Sequence, residues 1–409
     1  MPVTERLYYH DSFLHRFEAE VVESLLYEGR HAVVLNRTAF YPTSGGQVHD
    51  TGALSDPSGQ SSPVIEVADE EDGRILHFVA APLAVGTTVR GTVDAARRID
   101  HMQQHSGQHV LSAAFIRLFD MPTVSFHMGA ESCTIDLETS SVTPAQIEAA
   151  EKLANEIVTE DRPVTIRFVE LEAARGLGLR KIPPKQTGEL RLIDITDFDL
   201  TACGGTHVRS TGQIGAILLR KAEKVKQGVR VEFVCGGRAV ATARKDYTVL
   251  SEAASAFSAH LYDVPKQIQK TLDDAKAAGK SRQKLLEELA ELQAERLLHE
   301  CRHSPCIVTA VFPERDAMFI KLLAQKLTAS RPDVIALLAS GLEQWTLVFA
   351  QSAGQKSNMG QLMKQVMSQL GGRGGGATEL AQGGVPANTD RARIEALLRE
   401  TASAFGSVS

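Results

Sequence analysis

The chain has 409 residues, 43% apolar and 23% charged, which excludes a disordered or fibrous protein and leaves room for two or three domains. A formal charge of −6 argues against nucleic acid gripped by the whole surface, and five cysteines (Cys133, Cys203, Cys235, Cys301, Cys306) make no secreted disulfide framework, so reduced thiols are expected. The opening residues lack a signal peptide's apolar core and no run reaches the ~20 apolar residues of a membrane span, which predicts a soluble cytoplasmic protein.

Over residues 19–92, short apolar runs such as HAVVLN, ILHFVA and TVRGTV are broken by Gly, Pro and Asp, predicting a small β-barrel or sandwich over 1–96 with a hairpin loop at 69–73. At Arg97 the period changes: Ile99, Met102, Leu111, Phe115 and Leu118 recur near 3.6 residues, as in a helix. Strands TVSFHMG, SCTIDLE, RPVTIRFVE, AILLRKAEKV and VRVEFVCG, with a helix capped by Thr143, complete an α+β domain over 97–240. Asp263 and Pro265 start another helix, with Ile268, Leu272 and Ala275 on one face. Leu285, Leu289 and Leu292 follow beyond a break at Gly279, so 241–302 reads as a helical hairpin or short coiled coil, either a spacer or a dimer interface. From Cys306, apolar strands alternate with helices in a compact α/β domain over 303–390. It ends in GGRGGGATELAQGGVP, a flexible linker or a loop touching a large ligand, before a terminal helix at 391–409. The fold class is α+β.

Two residues at i and i+4 on a helix share a face, which suits a tetrahedral zinc ion. His105 and His109 have that spacing, and Cys203 and His207 repeat it in TACGGTH, where Gly204 and Gly205 let the backbone fold tightly. Each pair alone is more often chance, whereas the two together favour a metal. His101 forms an overlapping pair with His105, and spacing does not choose between them. In FYPTSGGQVHDTG, Gly45 and Gly46 allow a substrate close to the main chain and Gln47 offers amide donors and an acceptor; a plain hairpin turn is the competing reading. Basic residues cluster at Arg220, Lys221, Lys224, Lys226 and Arg230, and at Arg175, Arg180, Lys181 and Lys185, as a strip for nucleic acid or as solvated surface.

FYPTSGGQVHDTG, RRIDHMQQHSGQHVLSAAF, CGGTHVRSTGQIG and GGRGGGATELAQGGV together resemble the long-form AlaX-type alanyl-tRNA editing proteins, relatives of the editing and C-terminal regions of alanyl-tRNA synthetases. The resemblance implies one zinc ion held by His105, His109, Cys203 and His207, which sets His101 aside. It implies a substrate-facing loop at Gly45, Gly46 and Gln47 and tRNA contacts at the glycine-rich Gly372, Arg373, Gly374 and Gly375, and Lys221, Lys224 and Arg230 of the basic strip are the further candidates for tRNA contact. The synthetase editing regions usually carry Thr just before the second zinc histidine, and Gln108 stands there, so recognition of a serine hydroxyl passes to Gln108 or to Ser125 and His127. Gln47 and Gln108 are the catalytic candidates.

Nothing resembles the adenylating domain, so the implied activity is hydrolysis in trans of tRNA(Ala) mischarged with serine or glycine; ATP binding is also an expectation, with no residue assigned to it. A homodimer through the helical and C-terminal segments is a further expectation. A threonyl-type editing hydrolase, and a tRNA-binding protein using zinc only to fold, are the alternatives. A phosphoesterase sharing the C-terminal domain is disfavoured because its Asp-His-His run is missing.

Overall fold

A computed structural model describes residues 3–180, 188–226, 228–342 and 344–406. Two compact units divide the chain, Met1–Glu252 and Ala253–Ser409.

The first unit opens with a closed barrel of β1 (Arg16–Tyr27), β2 (Arg30–Leu35), β3 (Gly52–Ser55), β4 (Ser61–Asp69), β5 (Ile75–Val79) and β6 (Thr88–Val93), in the order β1-β2-β5-β4-β3-β6. Val21, Val33, Leu35, Leu54, Val64, Val67, Ile75 and Val89 fill its core. Along β6 the TVRGTV alternation puts Val89 and Val93 inward. Closure removes the edges that a sandwich would expose, which settles the barrel-or-sandwich alternative. The hairpin between β4 and β5 turns at 70–73, where Gly73 donates to the Glu70 carbonyl.

Helix α1 (Ala95–Phe119) starts two residues earlier than its apolar period, because Asp94 caps the backbone N–H groups of Ala96 and Arg97. It is buried along most of its length: Met102, Leu111 and Phe115 pack in the core, whereas Ile99 and Leu118, expected on the same stripe, are exposed. Arg98 ties its start to the barrel side, fully buried against Asp50 and the carbonyls of Ser12 and Ala39. Next come β7 (Thr123–Met128), β8 (Cys133–Leu137) and α2 (Pro144–Thr159), where Thr143 and Gln146 form a capping box. Strands β9 (Val164–Glu170), β10 (Glu189–Ile195) and β11 (Asp199–Ala202) make one antiparallel sheet; β12 (Ile217–Val225) and β13 (Gly228–Cys235) join β8 and β7 in another, ordered β12-β13-β8-β7. β13 leads directly into α3 (Gly236–Ala256).

In the second unit α4 (Val264–His299) begins at Asp263 and Pro265 as expected but runs unbroken through Gly279. One glycine costs a helix interior roughly 1 kcal/mol, too little to interrupt 36 residues. Its buried face is Leu286, Leu289, Ala290, Ala294 and Leu297, one step from the expected one; Leu285 and Leu292 are exposed, as are Ile268 and Leu272. Cys301 and Cys306, expected as thiols, are joined in a disulfide with Cα atoms 5.8 Å apart. The five-stranded sheet of β14 (Cys306–Phe312), β15 (Val334–Ser340), β16 (Thr346–Gln351), β17 (Arg373–Gly376) and β18 (Leu380–Gly384) has the order β14-β15-β16-β18-β17. Helix α5 (Ala317–Ser330) covers Val334, Ala336 and Leu338 on one face. Helices α6 (Met359–Leu370) and α7 (Arg391–Gly406) cover Ile335, Leu337 and Ala339 on the other.

The glycine-rich segment is neither linker nor loop. Its two halves pair as the edge hairpin β17-β18, and a side chain at Gly374 or Gly383 would run into the partner backbone or Met367 of α6. Close packing, rather than freedom, is what demands glycine there.

Candidate metal centre and its cavity

Helix α1 carries a run of polar residues through a buried environment: His101, Gln104, His105, Ser106, Gln108, His109 and Ser112. Most buried polar groups are partnered, and several of the partners here position the site. Gln104 pins the backbone of Cys235 with both ends of its amide (3.0 and 2.8 Å), and Ser106 Oγ hydrogen-bonds His207 Nδ1 (3.1 Å) and accepts from the Val208 N–H. His105 and His109, one turn apart, face the loop after β11, and the ligand atoms of His105, His109, Cys203 and His207 all lie within 4.8 Å of one another.

Cys203 Sγ is 3.5 Å from His105 Nε2 and 3.3 Å from His207 Nε2. Zinc–ligand bonds of roughly 2.0–2.3 Å in a tetrahedron place neighbouring N and S atoms about 3.5 Å apart, so the donor set and its spacing fit that ion. Two outer ring nitrogens are hydrogen-bonded as those of metal-bound imidazoles usually are, His207 Nδ1 with Ser106 and His105 Nδ1 with Gln47, whereas His109 Nδ1 faces a carboxylate at ion-pair distance without a hydrogen bond among the described residues. His105 Nδ1 donates to Gln47 Oε1 (2.8 Å), and His109 Nδ1 lies 3.4 Å from Asp199 Oδ2, itself gripped by Arg180 (2.7 and 3.0 Å). Burial acts to raise the Cys203 thiol, but His105 and His207 beside it bring its pKa well below the ordinary thiol range, toward the ligating thiolate. The CGG turn is clamped by Arg191, whose Nη1 donates to the Cys203 and Gly205 carbonyls (2.6 and 3.0 Å). A Cβ at Gly205 would sit 2.1 Å from the His105 ring, so the motif needs glycine for close approach.

His101 stands outside this group: buried, with no partner for Nδ1, its pKa is pushed down to about 4 by desolvation. Gln47, expected at the substrate, is fully buried; its oxygen accepts from His105 and the Thr206 N–H while its nitrogen donates to Thr206 Oγ1, which places it behind His105. Gly46, in the left-handed region, presses against the Phe126 backbone, and Phe126 stacks on His105 at 5.4 Å.

A cavity of about 510 Å³ opens above the cluster, lined by His105, His109 and Cys203 with Gly45, Gln108 and Ser125 among others. Gln108 Nε2 donates to Ser112 Oγ (2.7 Å), which bonds Thr123 Oγ1 (2.7 Å), and its oxygen has no partner among the described residues. Ser125 spends its hydroxyl on Asp136, while His127 is exposed and does not line the cavity. Nothing in the sequence singles out Asp199, Arg191, Ser112 or Thr123, and Arg180 stands out there only as part of a basic strip. No spacing marks them, because each reaches the site through a different element.

The basic strip is mostly committed to carboxylates: Lys221 to Glu223, Arg230 to Asp136, Arg220 to Asp246, Arg175 to Glu172 and Arg180 to Asp199. Lys224 is exposed with no ion-pair partner among the described residues, and Lys181 and Lys185 lie outside them. Arg373 is exposed on the edge strand β17. Among the described residues no helix is long and apolar enough to cross a membrane.

Residues 190–231, which contain Cys203 and His207, match the family described as threonyl and alanyl tRNA synthetase second additional domain. Residues 4–97, which hold the barrel, match the family described as tRNA synthetases class II (A). Fold and site therefore define a synthetase-related protein with a candidate metal centre. The chain is 33% identical over 401 residues to the alanine–tRNA ligase of Archaeoglobus fulgidus, covering 95% of this chain but only 43% of that one. It is 32% identical over 400 residues to the alanyl-tRNA editing protein AlaX-L of Pyrococcus horikoshii, covering 95% of this chain and 96% of that protein. The C-Ala domain of Aquifex aeolicus alanyl-tRNA synthetase, 28% identical, covers 24% of this chain and 90% of that one with a TM-score of 0.22. The chain belongs to the family of AlaX-L alanyl-tRNA editing proteins.

Proposed function

We propose that this chain is a hydrolase acting in trans in the cytoplasm on tRNA(Ala) mischarged with serine or glycine. The observation that carries the reading is a cluster of three buried histidines and the half-buried Cys203 opening on a cavity, in a chain of this family. Water attacks the ester carbonyl carbon, the bond to the terminal ribose oxygen breaks, and the amino acid leaves with the ribose hydroxyl restored. An aminoacyl ester is already activated, so positioning and stabilisation of the developing oxyanion suffice.

Zinc, one per chain, is the metal that the donor set favours, and when bound it supplies a Lewis acid able to polarise a carbonyl or an attached water. Four protein donors fill a tetrahedral shell, so the cluster's main task in this reading is to orient the substrate and hold the CGG turn. Gln108 offers its amide oxygen to the serine hydroxyl, kept in place by Ser112 and Thr123. Alanine fits the same space but leaves that acceptor unpaired. Lys224 and the β17 edge with Arg373 are the proposed contacts to the rest of the tRNA, and dimerisation through α4 is proposed as well.

Purified protein tested against tRNA(Ala) and tRNA(Thr) charged with serine, glycine, threonine or alanine decides the matter. Preferential deacylation of seryl- or glycyl-tRNA(Ala) is expected. Turnover confined to tRNA(Thr) gives the threonyl-type alternative, which the shared threonyl and alanyl family description keeps in play. Tight binding without turnover reduces the protein to a zinc-stabilised tRNA binder.

A further inference from the structure

Five cysteines meet different surroundings, and the differences single out one pair. Cys133 and Cys235 are fully buried, and desolvation pushes the Cys133 thiol up to about 12 and the Cys235 thiol well above its ordinary range, so neither supplies a reactive thiolate. Cys203 belongs to the metal cluster. Cys301 and Cys306 lie in the second unit, where a disulfide joins them across the turn between α4 and β14. Cys306 is buried in the core that also holds Ala294 and Val308, and its N–H donates to the Asp333 carbonyl (2.8 Å). Cys301 is half-buried, and the exposed Arg302 and His303 follow it directly. In a chain read as cytoplasmic such a bond is no permanent staple, because cytoplasmic disulfides are mostly transient, catalytic or redox-sensing. A thiol within reach of solvent, beside a permanent positive charge and with a second thiol close by, is the arrangement that redox-sensing cysteines use.

We propose that Cys301 is a site of thiol oxidation and Cys306 its resolving partner, the two forming a reversible clasp between the end of α4 and the start of β14. The Cys301 thiolate attacks one sulfur of a small-molecule disulfide; a new S–S bond forms, the oxidant's own S–S bond breaks, and one of its halves leaves as a thiolate. Cys306 then attacks the Cys301 sulfur, which closes the protein disulfide and releases the second half. Two protein thiols are oxidised by two electrons, the oxidant is reduced to two thiols, and the two protons pass to the departing sulfurs. Closure fixes α4 to the sheet at the point where Ala290, Ala294, Leu297 and Leu298 share a core with Cys306. The clasp stands apart from the hydrolase reading, since the metal centre lies in the other unit.

The zinc-loaded full chain is equilibrated at rising ratios of oxidised to reduced glutathione, quenched in acid, unfolded, alkylated and read by mass spectrometry. Cys301 and Cys306 should lose their alkyl labels together, with bound zinc unchanged. Cys306→Ala should stop at one glutathione on Cys301, and Cys301→Ser should leave Cys306 a free thiol. The oxidised wild type should unfold about 5 °C above its reduced form, the scale of closing a short loop, and both variants should lose that gap. Cys301→Ser replaces a half-buried side chain by one of similar size, so it keeps the test decisive where Cys306→Ala does not fold. Cys301 and Cys306 remaining thiols in oxidised glutathione alone, or glutathione settling on Cys306 in Cys301→Ser as readily as on Cys301 in Cys306→Ala, overturns the assignment. Equal unfolding midpoints for oxidised and reduced wild type overturn the clasp.

Discussion

Three histidines at four-residue intervals on α1 meet three different fates, and the difference is what each ring finds in front of it. His105 and His109 find Cys203 and His207, whereas His101 is one turn short of the cluster and buried without a partner. Cys203→Ala and His109→Ala are therefore expected to lose zinc and deacylation together, and His101→Ala to keep one zinc per chain, as elemental analysis will read. Loss of metal in His101→Ala with retention in His105→Ala would move the site by a turn. Gln47, bonded to His105, and Gln108, bonded to Ser112 in the cavity wall, are expected to have separable roles. Gln47→Ala should weaken zinc affinity by 10- to 100-fold, the usual cost of an outer-sphere partner, and leave the seryl-to-alanyl rate ratio of the zinc-loaded protein alone. Gln108→Ala should lower that ratio and leave zinc affinity alone; the reverse pattern in competition with a chelator would exchange their roles.

Among the elements, the barrel carries a pH dependence of its own. His77 of β5 is fully buried, with Nε2 2.8 Å from Thr38 Oγ1 and Nδ1 3.2 Å from the Val33 carbonyl, and desolvation lowers its pKa to about 4. Its folded pKa lies below the unfolded value of about 6.5, so between those two values the unfolded chain binds more protons. Stability present at neutral pH is lost as pH falls from about 6.5 toward 4, by at most about 3 kcal/mol from this group. His101, with the same shift, adds in the same direction. Urea unfolding followed at pH 7.5 and pH 5 should show the loss, reduced in His77→Gln; equal sensitivity in the variant would place the dependence elsewhere. Among helices, the reading of a break at Gly279 failed because a local penalty was weighed without the packing of Leu286, Ala290 and Ala294 that carries α4 onward.

At the scale of the whole molecule, every residue of the metal centre and its cavity lies in Met1–Glu252. A cut near Arg238, where the strand pattern ends, would sever α3 just after Arg238 grips Asp100 (2.7 Å) and would remove Asp246 from Arg220. A chain ending at Glu252 is expected to retain zinc and cleave mischarged tRNA with weaker binding, less preference for tRNA(Ala) and a shallower salt dependence, since fewer phosphate contacts remain. Unchanged affinity and salt slope in such a folded protein would remove the second unit from tRNA capture. By itself the sequence determined the barrel strands, α1, the capped α2 and the start of α4, written in local period and capping chemistry; i, i+4 spacing offered the side chains of the candidate metal cluster, and the family resemblance, not spacing, set His101 aside. Tertiary structure alone decided that Gln47 stands behind His105, that Asp199 and Arg180 back His109, and that the GGRGGG run is an edge strand. Those relations join residues far apart in the chain, and their physical cause is burial and contact, which no local period records.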